Sequence, residues 1–174
     1  MNKPLSVANL TAFGMPPSSL GNALVALGGV ATRTGQSLAV VERTGRRAEE
    51  TPLHVHPHDE LILVHDGELT LLVGDDAIEL RAGETFVAPA DVAHALVVES
   101  PRARYTSATV VRSAARYEDF LRAVGLPVGG GSGPWHRSDD AARLGTIASR
   151  NGIRVLAEPG HRPSARALSS SFRS

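Results

Sequence analysis

The sequence contains no cysteine. That excludes a disulfide framework and any thiolate metal site, so a metal on this chain must be held by nitrogen and oxygen donors, which suits Mn, Fe, Co, Ni or Zn. Aromatic residues are scarce, at 4% of the chain. An excess of one charge is also missing, since 18 basic residues face 18 acidic ones. A nucleic-acid or anionic-membrane surface needs clustered positive charge, so neither partner is expected. All but one of the basic residues are arginine, a bias with no physical account here. No apolar run approaches the length of a membrane span. Met1-Asn2-Lys3-Pro4 is not followed directly by an apolar core, so no secretory signal is expected and the chain reads as cytoplasmic.

What is present is enough for one domain with appendages: 174 residues, of which 42% are hydrophobic. The informative stretch is His54-Val55-His56-Pro57-His58-Asp59-Glu60, with Gly67 beyond it. Side chains alternate faces along a strand, so His54 and His56 point one way and Val55 the other. Glu60 lies past a proline and can swing back to the same point. Two imidazoles and a carboxylate are most of a transition-metal shell, and His94 offers a further ligand. At this chain's own composition an H-x-H-x-x-x-E match arises by chance in about one or two such sequences in a hundred. The bland alternative is a His-rich surface turn. The second segment, Gly83-Glu84-Thr85-Phe86-Val87-Ala88-Pro89-Ala90-Asp91-Val92-Ala93-His94, weighs against it, because its turns and apolar run allow two more strands ending on a histidine.

The rest of the chain supplies short apolar runs between turn signals. Strands are expected over 23–27, 36–42, 54–64 with a kink, 68–73, 77–80, 85–88, 93–99 and 104–111. Thr44 to Glu50 reads as a polar loop, and Asp66-Gly67 as a turn. Such spacing suggests an all-β sandwich or barrel, and a jelly roll would manage the sheet edges. From Arg116 the period changes. Tyr117, Phe120, Leu121 and Val124 fall at helical spacing, and Gly125 and Pro127 end the helix. After a glycine-rich loop at 129–133, Ser138-Asp139-Asp140 caps a second helix running to about Arg150. Residues 153–156 suit a further short strand. The expected division is N-terminal strands and β-barrel over 1–111, a C-terminal helical extension over 112–158 and a disordered tail over 159–174.

Strand parity also suggests the walls of the site. Ile62 and Val64 share a face with Glu60, Leu96 and Val98 share one with His94, and Phe86 sits at the mouth. These five are the candidate substrate contacts, against the alternative of ordinary barrel core. They describe an apolar pocket with a metal at one end, suited to a small, largely apolar ligand with a chelating or enolisable oxygen. His58 and His65 read as solvated, and Trp135-His136 as a tail anchor rather than a lid.

The two segments, spanning 48–67 and 83–98, resemble the motifs of the cupin superfamily. Its first motif, G-x5-H-x-H-x3-4-E-x6-G, is met by His54, His56, Glu60 and Gly67, with Ala48 in place of the first glycine. Its second, G-x5-P-x-G-x2-H-x3-N, is met by Gly83, Pro89 and His94, with Asp91 for a glycine and Val98 for the asparagine. The departures fall at turns and a strand end, where they put loop geometry in question and leave the ligand set intact. With the C-terminal layout, the chain resembles single-domain cupins related to bacterial quercetin dioxygenase. That resemblance implies a jelly-roll barrel holding one divalent transition metal (Fe, Mn, Ni or Co, with Zn also suitable) on His54, His56, Glu60 and His94. It implies dioxygen as co-substrate, Glu60 as both ligand and catalytic base toward an enolic or phenolic hydroxyl, and a homodimer. Leu61-Ile62-Leu63 stands where relatives often carry aromatics, so a large flavonol would lose stacking partners and a smaller substrate is expected. Two other readings stay open: a non-oxidative isomerase, cyclase or decarboxylase using the metal as Lewis acid, and a small-molecule-binding module without turnover.

Overall fold

Alternating apolar residues at short intervals leave this chain one way to bury its surface, which is to lay sheets face to face. The computed structural model describes residues 18–20, 23–28, 36–112, 117, 120, 145–157 and 160. Eleven strands are defined among them: β1 (Ser18–Leu20), β2 (Ala23–Gly28), β3 (Ser37–Arg46), β4 (Leu53–Val55), β5 (Glu60–Asp66), β6 (Glu68–Val73), β7 (Asp76–Arg81), β8 (Thr85–Ala88), β9 (His94–Val98), β10 (Arg102–Val111) and β11 (Arg154–Ala157). They form two antiparallel sheets, ordered β1-β2-β3-β10-β5-β8 and β11-β4-β9-β6-β7. The expected all-β jelly-roll barrel is the observed architecture.

The period-two pattern decides what lies between the sheets. Ile62 and Val64 of β5 and Tyr105 of β10 face Leu69 and Leu71 of β6 and Leu96 and Val98 of β9 in one buried core. Strand β9 is buried on both faces. Its Ala95 and Val97 pack outward with Leu53, Leu72 and Ala93 in a second cluster. A third cluster closes one end of the interior, where Tyr117, Phe120, Ala148 and Ile153 cover Ala39 and Val41 of β3 and Val111 of β10. Tyr117 and Phe120 are helical positions and residues 145–150 are helical, in line with the change of period along the sequence.

Three features differ from the sequence expectation. Strand β3 runs on through Arg46, where a polar loop was expected from Thr44, because β10 offers a continuous ladder pairing Arg46 with Arg102; ladder hydrogen bonds outweigh the polarity of Thr44 and Arg46. Strand β11, grouped by sequence with the C-terminal extension, pairs with β4, so the chain's later part adds an edge beside His54. A short β1, Ser18–Leu20, forms ahead of the first strand expected from the sequence. Residues 121–124 of the expected first helix, Trp135-His136 and the tail beyond 160 lie outside the described residues.

The motif departures have a structural consequence. Ala48 and Asp91 are the positive-φ non-glycine residues of the described chain, at 66° and 60°. Both stand where the family pattern places glycine, so the turns keep a glycine-type backbone without the glycine. Ala48 is held by donating to Val98 O at 2.8 Å, and Asp91 by donating to His56 O at 2.9 Å. At Gly67, by contrast, φ is 82° and a Cβ would lie 2.4 Å from the Arg102 carbonyl oxygen. No side chain fits there.

Candidate metal centre

Each ligand arrives on a different structural device. His54 lies in the three-residue β4, paired across to His94 at the start of β9. His56 follows the end of β4 in a bend, and Glu60 opens β5 opposite Ala88 and Thr109. The loop carrying His56 is tied to the loop before His94. Asp91 N donates to His56 O, and Ala90 N donates to Asp59 Oδ1 at 2.8 Å. Thr109 Oγ1 donates to Asp59 O at 2.8 Å, which fixes the entry into β5. These ties bring the two motifs together.

His54, His56, Glu60 and His94 each place a ligand atom within 4.8 Å of the others. His54 and His94 rings stand 4.4 Å apart and His56 and His94 rings 4.8 Å apart, centroid to centroid. Each imidazole donates its Nδ1–H to a backbone carbonyl: His54 to Pro52 at 2.8 Å, His56 to His58 at 2.7 Å and His94 to Val92 at 2.8 Å. Such bonds fix the tautomer and direct Nε2 toward the centre. Glu60 Oε2 lies 3.2 Å from His56 Nε2 and 3.3 Å from His94 Nε2. A divalent cation fits this donor set.

The electrostatics agree with that fit. Burial, helped by the neighbouring His94, lowers the His54 pKa to about 4, so this imidazole is neutral and ligand-ready near pH 7. Burial would raise Glu60, yet hydrogen bonds from His56 and His94 hold it well below the usual carboxylate range. At His56 burial works downward and is outweighed by the hydrogen bond and charge of Glu60, so its pKa is raised. Without a metal, His56 and Glu60 therefore hold each other as an ion pair.

The proposed wall residues separate by burial. Val64, Val98, Ile62 and Leu96 are 0, 1, 2 and 6% exposed and pack as core, while Phe86 packs against them with part of its ring accessible. His58 contributes its carbonyl to His56. The His65 ring bonds Thr106 Oγ1 at 2.7 Å, away from the centre. Sequence reasoning missed the carbonyls of Pro52, His58 and Val92, which carry no side-chain signal.

The barrel carries a cluster of three histidines and a glutamate that could hold a metal ion. Residues 44–107 match the family model described as cupin domain. No curated protein matches the chain. Similar solved structures include KdgF from Halomonas sp., 20% identical over 54% of this chain and 84% of that one, with a TM-score of 0.40. The Schizosaccharomyces pombe Cnp3 cupin domain is 13% identical over 63% of this chain and 74% of that one, at 0.44. A recombinant oxalate oxidase in complex with glycolate is 24% identical over 56% of this chain and 54% of that one, at 0.40. Among the described residues no helix is long and apolar enough to cross a membrane.

Proposed function

We propose that the chain is a mononuclear metal-dependent dioxygenase acting on a small enolic or phenolic substrate. The observation that carries this reading is the convergence of four ligand atoms within 4.8 Å, each imidazole oriented by its own backbone carbonyl. These four residues would hold an Fe, Mn, Co or Ni ion, which would still be able to take a substrate oxygen. When bound, the metal supplies a Lewis acid with open positions for a substrate oxygen and for dioxygen. His54, His56 and His94 would hold it through Nε2. Glu60, kept ionised, accepts and orients the proton of the substrate hydroxyl. Ile62, Val64, Leu96 and Val98 exclude water behind the site, and Phe86 borders the entrance.

The test is oxygen consumption by protein reconstituted with Fe, Mn, Co or Ni, against a panel of enolic and phenolic compounds. Uptake that tracks product and vanishes in metal-free protein supports the reading. Turnover of the same compounds with no oxygen consumed contradicts it and identifies an isomerase, cyclase or decarboxylase.

A further inference from the structure

The barrel interior holds a second polar group that the metal centre does not use. Arg43 pairs in register with Tyr105 of β10, which in turn pairs with the buried Val64 of β5. Two residues on, a Cβ built on Gly45 would meet Val98 Cγ2 at 2.8 Å and the Tyr105 ring at 3.9 Å. This alternation puts Arg43 on the inward face of β3. Its Nε is buried and has no hydrogen-bond partner among the described residues. An unpaired buried N–H is costly, and native interiors rarely leave one without a reason. The Tyr105 side chain lies directly across the ladder from Arg43, and burial raises its hydroxyl pKa. Tyr117 is buried in the cluster that includes Val41, the next inward residue of β3 before Arg43. A cation and two phenol hydroxyls thus share the interior with the ligand carboxylate.

Glu49 also lies here, its Oε2 3.3 Å from the Cβ position of Gly45, yet it forms no ion pair with Arg43 among the described residues. A divalent ion with Glu60 leaves one positive charge; Arg43 adds one and Glu49 removes one. The interior keeps a net positive charge, which one further carboxylate would neutralise.

We propose that Arg43, Tyr105 and Tyr117 form the carboxylate-binding end of the substrate site, and that the natural ligand is a small monoanionic acid whose enolic or phenolic oxygen reaches the metal centre. The proposal rests on the metal-centre reading and names the class of its substrate. A guanidinium presents paired N–H donors that match a carboxylate, and the tyrosine hydroxyls add donors on either side. The acid's position then orients the other end of the molecule at Glu60.

The experiment uses full-length protein loaded with Ni(II), kept anaerobic, with nickel content measured for every sample. Calorimetric titration compares 3,4-dihydroxybenzoate with its methyl ester, which keeps the catechol and loses the charge. Wild type is expected to bind the acid at least about tenfold more tightly than the ester. In Arg43→Gln that preference disappears, while nickel content and ester affinity stay unchanged. Arg43→Lys restores part of it. Tyr117→Phe weakens acid binding severalfold without affecting the ester, and supplies a second route if Arg43→Gln fails to fold. Nickel-loaded wild type that binds acid and ester equally overturns the proposal, as does an Arg43→Gln or Tyr117→Phe variant with the full wild-type preference. Wild type that takes up no nickel brings down the metal-centre reading itself, which the metal content reveals separately.

Discussion

The two ends of the barrel interior differ in how their polar groups are satisfied. At the ligand end every imidazole is tied through Nδ1 to a carbonyl of its own loop, and Glu60 Oε2 sits between two Nε2 atoms. At the other end the Arg43 Nε is buried without a partner. The first end is preorganised by the chain for an ion. The second holds one buried N–H, Arg43 Nε, that finds no partner among the described residues.

The largest effect expected at the ligand end is on turnover. Glu60→Gln keeps the fold and loses roughly 10²–10⁴-fold in rate, the usual worth of a positioned acid or base; an active Glu60→Gln enzyme rules out the base role.

Acid titration of the metal-free protein comes next. The His54 pKa of about 4 lies below the unfolded value of 6.5, so the unfolded chain binds a proton that the folded one refuses. Stability is then lost as pH falls from about 6.5 to about 4, by up to about 3 kcal/mol. His56 adds no slope in that window. Its raised value gives a contribution already complete below 6.5 and lost only as pH rises through the folded value. Glu60, held low, contributes above its unfolded value of 4.5 and loses that contribution only as pH falls through the folded one. Urea unfolding at several pH values, wild type beside His54→Asn, measures the difference. Identical pH profiles would contradict the assignment.

The opposite end should respond far less. Arg43→Met removes a desolvated charge that has little compensation, so metal-free stability stays within about 1 kcal/mol of wild type. A loss of several kcal/mol in chemical denaturation would make the guanidinium a structural group and dissolve the contrast between the ends.

The smallest effect concerns the turns. A left-handed Ala48 is strained by about 1–2 kcal/mol relative to glycine, part of which is offset by glycine's greater freedom when unfolded. Ala48→Gly is expected to stabilise by about 0.5–1 kcal/mol in thermal melts, and Asp91→Gly by less, since aspartate tolerates this conformation better. Destabilisation at Ala48 would mean that its methyl group packs usefully.

Much of this was readable from the sequence because it depends on period and spacing. The parity of His54 and His56, the alternation through β5, β6 and β9 and the turns at Gly67 and Gly83 carry the barrel and bring the four ligands together. What was not readable depends on partners distant in sequence. The extension of β3 through Arg46 follows from its ladder with β10, and the place of β11 from an edge offered by β4. The orienting carbonyls of Pro52, His58 and Val92 are backbone atoms, present at every residue and marked by none. Arg43 was hidden among many surface arginines until the inward face of β3 singled it out.

The most direct test is the metal content of untagged wild-type protein beside His56→Ala. The account predicts near-stoichiometric divalent transition metal in the wild type and at least a tenfold loss in the variant. Full occupancy in His56→Ala, or a wild type that stays metal-free after reconstitution, would contradict it.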